Sequence, residues 1–87
     1  MSTPEIEQRV AQWEKMAAEA PDDMAFFSLG QAYKDADRPE DAAEALGKAI
    51  EMNPGMSRAY QLRAQMLIKL GREDEAGALL EKGYVTA

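Results

Sequence analysis

Displaced by 34 residues, this sequence partly repeats itself, and that period restricts the possible folds more than any other feature. Ala25 lands on Ala59, Gln31 on Gln65, Arg38 on Arg72, Ala42 on Ala76, Leu46 on Leu80 and Lys48 on Lys82. Phe26 lands on Tyr60, Glu40 on Asp74 and Asp41 on Glu75. Such a period accommodates two helices and two turns. A unit of that size cannot bury its apolar face alone and gains stability by stacking on its neighbours.

The segments between Pro4, Pro21, Pro39, Pro54 and Gly71 are rich in Ala, Leu, Glu, Gln and Lys, residues that lose little entropy in a helix. No segment alternates apolar and polar residues as a half-buried strand does. Five helices are predicted. The first runs from about Pro4 to Ala20, with Thr3 as N-cap and an apolar stripe of Ile6, Val10, Trp13, Met16 and Ala17. The second runs from Asp22 or Asp23 to Ala36 with Phe26, Leu29, Gly30 and Tyr33 inward. The third ends near Met52, before Asn53-Pro54-Gly55, with Ala42, Ala43, Leu46, Ala49 and Ile50 inward. Asp37 is expected to cap it, with Glu40 completing a capping box. The fourth spans about Ser57 to Leu70, closed by Gly71, and the fifth begins at Arg72 or Glu73 and reaches about Tyr84.

The first copy reads Phe26-x-x-Leu29-Gly30-x-x-Tyr33, then Ala42-x-x-x-Leu46-x-x-Ala49, then Pro54. The second reads Tyr60-x-x-Arg63-Ala64-x-x-Leu67, then Gly71, Ala76, Leu80 and Gly83. This pattern resembles the tetratricopeptide repeat. The resemblance implies an all-α fold, a right-handed α-α superhelix of antiparallel helix pairs, in one domain over residues 1–87. An N-terminal helix at 4–20 then precedes a first repeat at 22–55 and a second at 56–87. Small residues at Gly30, Ala42, Ala64 and Ala76 let the paired helices approach closely. Arg63 departs from the family's Leu, Gly83 from its Ala, and Asp37 stands where the family usually has Gly. The segments Phe27–Tyr33 and Ala59–Leu62 are also similar to short bacterial modules of this type found beside or fused to an Fe(2+)-trafficking protein. That likeness implies an iron-linked role and no metal ligands on this chain.

In the family the first helix of each pair lines a concave groove that holds a peptide. Carried over, the groove residues are Met24, Phe27, Gln31, Lys34 and Asp35 from the first pair. From the second pair they are Arg58, Gln61, Leu62, Gln65, Ile68 and Lys69. Phe27 and Ile68 are expected to form the exposed apolar part of an interaction patch. The alternative is a solvated face with Phe27 and Leu62 tucked against the next helix. Some relatives grip a C-terminal carboxylate with Lys and Asn. Phe27 and Gln31 stand at those positions, so a chaperone tail is not an expected ligand.

Composition removes other functions. Cysteine and histidine are both absent, which excludes disulfides, thiolate or imidazole metal sites and an imidazole base. A net charge of −6 argues against a nucleic-acid binder. No run of apolar residues is long enough to span a membrane, and the acidic N-terminal segment lacks a signal-peptide pattern, so the expected location is cytoplasmic. No catalytic residue, cofactor or metal site is expected, and the chain is not expected to be an enzyme. The acidic turn at 35–44 lacks calcium-loop spacing. Met16, Met24, Met52, Met56 and Met66 are expected to fill gaps in the core.

The expected function is that of an adaptor binding a partner protein or peptide in the groove. The alternative is a self-associating structural module. Leu79, Leu80, Tyr84 and Val85 make the last helix unlike a polar cap, so this module is expected to form a homodimer through that face, the alternative being a longer natural chain that covers it.

Overall fold

The computed structural model describes residues 3–86, with side chains to residue 81. It contains five helices: α1 (Pro4–Glu19), α2 (Asp23–Asp35), α3 (Pro39–Met52), α4 (Ser57–Lys69) and α5 (Glu73–Thr86). No strand occurs among the described residues. Each helix packs on the next in chain order, and the Cα atoms extend over 37 × 28 × 13 Å. The result is a slab of antiparallel rods.

Side chains start the first two helices. Thr3 Oγ1 accepts from the Ile6 amide at 3.2 Å, and Asp22 Oδ1 accepts from the Ala25 amide at 2.7 Å. Each satisfies a donor that the first helical turn leaves free. α3 begins differently. Its N-cap is Arg38, with no side-chain cap bond, so the expected Asp37–Glu40 capping box does not form. Asp37 instead sits in the left-handed region at φ 59°, closing α2. Its amide donates to the Lys34 carbonyl, and the Arg38 amide donates to the Tyr33 carbonyl. Those two bonds are a Schellman motif. Gly71 repeats the arrangement at φ 76°, with its amide on Ile68 and the Arg72 amide on Leu67. A residue committed to closing one helix has no geometry left to open the next.

The core runs through the small residues. Ala42, Ala49 and Ala59 are fully buried, and Ala64 and Ala76 nearly so. Leu46, Met66 and Leu67 fill the space around them. Gly30 is required by contact: a Cβ there would lie 2.6 Å from Leu46 Cγ. That distance is far inside van der Waals range, so α2 and α3 cross where only hydrogen fits. α1 is fixed by Trp13 and Ala17 against Ala25, Leu29 and Ala45, and by Val10 beside Ala32 and Ala36.

Candidate protein-binding surface

α2 and α4, 34 positions apart in sequence, both pack against α3. Two polar links fix their ends. Asn53 Nδ2, in the loop after α3, donates to Asp23 Oδ2 at the start of α2 at 3.0 Å. Lys69 Nζ, at the end of α4, lies 3.7 Å from Asp37 Oδ1, just beyond the end of α2.

The expected groove residues divide into two groups. Met24, Lys34, Asp35, Arg58, Gln61, Gln65, Ile68 and Lys69 are exposed, and Gln31 is half-buried. Phe27 and Leu62 are not surface residues: each is only 8% exposed and belongs to the central core. The expectation that Phe27 forms an exposed patch is therefore corrected. Its ring is large enough to reach the core from the edge of the α2 stripe, and burying it is worth more than leaving it in water. What faces solvent is a polar row of glutamines and cations, with Met24 (57% exposed) at one end and Ile68 (50% exposed) at the other.

The methionines divide in the same way. Met66 is buried and Met56 packs against the core, as gap-fillers do. Met16, Met24 and Met52 are exposed, contrary to expectation, because they lie at helix ends that overhang the packed centre. Met16 ends α1, Met24 begins α2 and Met52 ends α3, so antiparallel packing collects them at one end of the slab. There an apolar cleft of about 280 Å³ opens between α1 and α2, lined by Trp13, Met16, Met24 and Ala25 among others. Of these three methionines, only Met24 was set apart in the sequence, by its place among the expected groove residues; Met16 and Met52 carry no signal that separates them from core methionines.

Of the expected self-association residues, Leu79 and Leu80 are half-buried and packed against the core. Tyr84 and Val85 lie outside the residues whose side chains are described. Among the described residues no group of carboxylates is arranged to hold a metal ion, and no helix is long and apolar enough to cross a membrane.

Arg63, the departure from the repeat pattern, has a structural role. Its Nε donates to the Ala43 carbonyl at 3.0 Å and lies where a Cβ on Gly47 would approach to 3.2 Å. The guanidinium rests on α3 because residue 47 has no side chain. At α1 and α2 a different polar contact forms: Tyr33 OH donates to Glu14 Oε2 at 2.6 Å. Burial and that bond to a carboxylate push the Tyr33 phenol up to about 12.

A family model described as Tetratricopeptide repeat matches residues 27–87. The fold is similar to a solved chain described as "MamA AMB-1 C2221", with a TM-score of 0.87 and 21% identity over 95% of this chain and 49% of that one. A second, "MamA MSR-1 C2", gives a TM-score of 0.87 at 20% identity over 94% of this chain and 48% of that one. The chain thus spans about half the length of these solved chains. At such identities the likeness concerns the fold, the expected right-handed superhelix of antiparallel pairs. No curated protein matches the sequence.

Proposed function

The chain belongs to the tetratricopeptide-repeat family, and from that premise we propose that it is a protein-binding module whose α2 and α4 together hold an extended peptide or a partner helix. The observation that carries this reading is the exposed row on those two helices, polar along its length and apolar at Met24 and Ile68. Glutamines offer donors and acceptors to a peptide backbone. The exposed apolar ends supply buried area on contact, and the cleft beside Met24 extends one of them. Arg58 and Lys69 stand on α4, so an acidic segment of the partner would be steered towards that helix.

Homodimerisation through α5 has less behind it, because Leu79 and Leu80 already pack against the core. An iron-linked setting rests only on the resemblance of segments 27–33 and 59–62.

The test is site-specific photocrosslinking in the source cell. A photoreactive residue at Gln65 should capture a partner, and Ile68→Glu should abolish capture while thermal unfolding stays unchanged. A probe at Glu51, exposed on α3, supplies the contrast. Capture from position 51 and none from 65 would overturn the reading.

A further inference from the structure

The apolar cleft between α1 and α2 has a counterpart one repeat further on, and there the counterpart is full. The α1–α2 connection (residues 20–22) is one residue shorter than the α3–α4 connection (residues 53–56). α1 therefore corresponds to α3 at a displacement of 33, while α2 corresponds to α4 at 34. The backbone agrees. The C-caps Ala20 and Asn53 share one conformation, φ −138° and ψ 76° against φ −141° and ψ 84°, and their amides donate to the Met16 and Ala49 carbonyls. Trp13, Met16, Ala25 and Ser28, which line the cleft of about 280 Å³, thus match Leu46, Ala49, Ala59 and Leu62.

Those four matching residues are buried in one cluster with Phe27, which α2 contributes as it lies on α3. Among the described residues no helix lies on α1 in that way. Met16 stays exposed and Trp13 half-buried. The same frame therefore presents one seat filled by an aromatic ring from a covering helix, and one seat open. We propose that the open seat receives an amphipathic helix of a partner protein, which inserts one large aromatic side chain and carries a basic residue four positions before it.

Charge specifies that second feature. In the filled seat Asp23, four residues before Phe27, accepts from Asn53 Nδ2 at 3.0 Å. The open seat has Ala20 in place of Asn53 and Asp22 in place of Met56. An acidic residue on the covering helix would there lose its donor and meet a carboxylate, whereas a cation would be attracted. Exposed Glu19 adds to the acidic rim, and the net charge of −6 favours approach of a basic segment. The helix layer of α2 and α4 would simply continue by one member, by the same packing that already joins α2 to α3 and α4.

The chain's own second helix supplies the probe: a synthetic peptide of residues 21–36 carrying Asp23→Arg. It contains no tryptophan, and Trp13, the single tryptophan of the chain, lines the cleft, so its emission reports occupancy. Titration of the whole chain should give a saturable blue shift. A peptide that also carries Phe27→Ala should bind about tenfold more weakly or worse, since a buried aromatic ring is lost. The peptide with Asp23 restored should bind about threefold more weakly, and that difference should shrink at high salt. In the chain, Met16→Glu should abolish the response with thermal unfolding unchanged, and Ser28→Leu, which copies Leu62, should tighten binding. The proposal does not rest on the α2/α4 row: Ile68→Glu should leave the response intact. No saturable shift, equal binding of the Phe27→Ala peptide, or an unaltered response in Met16→Glu would each overturn the proposal. A blue shift that grows with protein concentration alone would give the seat to a second copy and overturn it as well.

Discussion

Leu29 and Arg63 occupy the same place in successive repeats and hold their helices by different means. Leu29 is buried with Ala17, Ala25 and Ala45, and Trp13 packs on that group. Arg63 is half-buried, reaches a backbone carbonyl, and needs a glycine beneath it. The first junction is made by apolar volume, and the second by a polar arm laid on bare backbone. Repeat geometry constrains the backbone more tightly than the chemistry of its seams, provided the neighbour is adjusted in step. The largest expected effect separates the two. Leu29→Ala should cost about 2–4 kcal/mol, as deletions of buried leucines do. Arg63→Ala should cost only about 1 kcal/mol, because Ala43 keeps its bond within the helix and water can reach the vacated site. Urea denaturation of both variants checks the ranking, and equal losses would erase the distinction.

A second contrast lies between two helical glycines. Gly30 sits under Leu46, with 2.6 Å for an added Cβ, whereas Gly77 has nothing within 4 Å. Gly30→Ala is expected to lose about 1–3 kcal/mol through overpacking. Gly77→Ala should gain up to about 1 kcal/mol from helix propensity. Thermal unfolding would show shifts of opposite sign. A gain at position 30 would mean that α2 and α3 can separate without loss.

Much of this was legible in the sequence because the period and the small residues report backbone distances directly. Gly30, Ala42 and Ala76 could be placed at close crossings because no larger side chain fits there. Thr3 announced its helix through its cap chemistry. Asp37 misled because the same residue type suits an N-cap and a left-handed C-terminal position, and only the backbone angle distinguishes them. Phe27 misled because a residue at the edge of a helical stripe can turn inward or outward, and the neighbouring helix decides.

Phe26 and Tyr60 offer the next comparison. Tyr60 is 2% exposed, and its hydroxyl has no hydrogen-bond partner. The equivalent residue in the first repeat carries no hydroxyl. Tyr60→Phe therefore makes the second site like the first and removes a desolvated donor, with an expected gain of about 1 kcal/mol. A loss on calorimetry would show that the hydroxyl is satisfied in solution.

The two helix closures differ less. Asp37 and Gly71 hold equivalent left-handed positions, and only Asp37 carries a Cβ there. Gly71→Ala should cost about 1 kcal/mol, since the strain it introduces is of that order. Asp37→Gly should gain about 0.5 kcal/mol, the relieved strain being partly offset by greater freedom in the unfolded chain. Chemical denaturation of the pair would show whether the acidic closure is tolerated or preferred. A loss at Asp37→Gly would assign real weight to its contact with Lys69.

The smallest effect belongs to the α1–α2 contact and appears only at high pH. Tyr33 is raised to about 12 in the folded chain by burial and by Glu14, against an ordinary value of 10.0. Folding therefore favours the neutral phenol. Its contribution is present in full below about pH 10, where both states are protonated, and fades as pH rises through the folded value. Stability should decline over that alkaline window in the native chain and decline less in Tyr33→Phe, which keeps the ring under Arg38 and loses only the titrating group. Parallel alkaline profiles for the two would mean that Glu14 does not hold the phenol in solution, and that the apolar contacts of Val10, Trp13 and Ala17 fix the first helix without it.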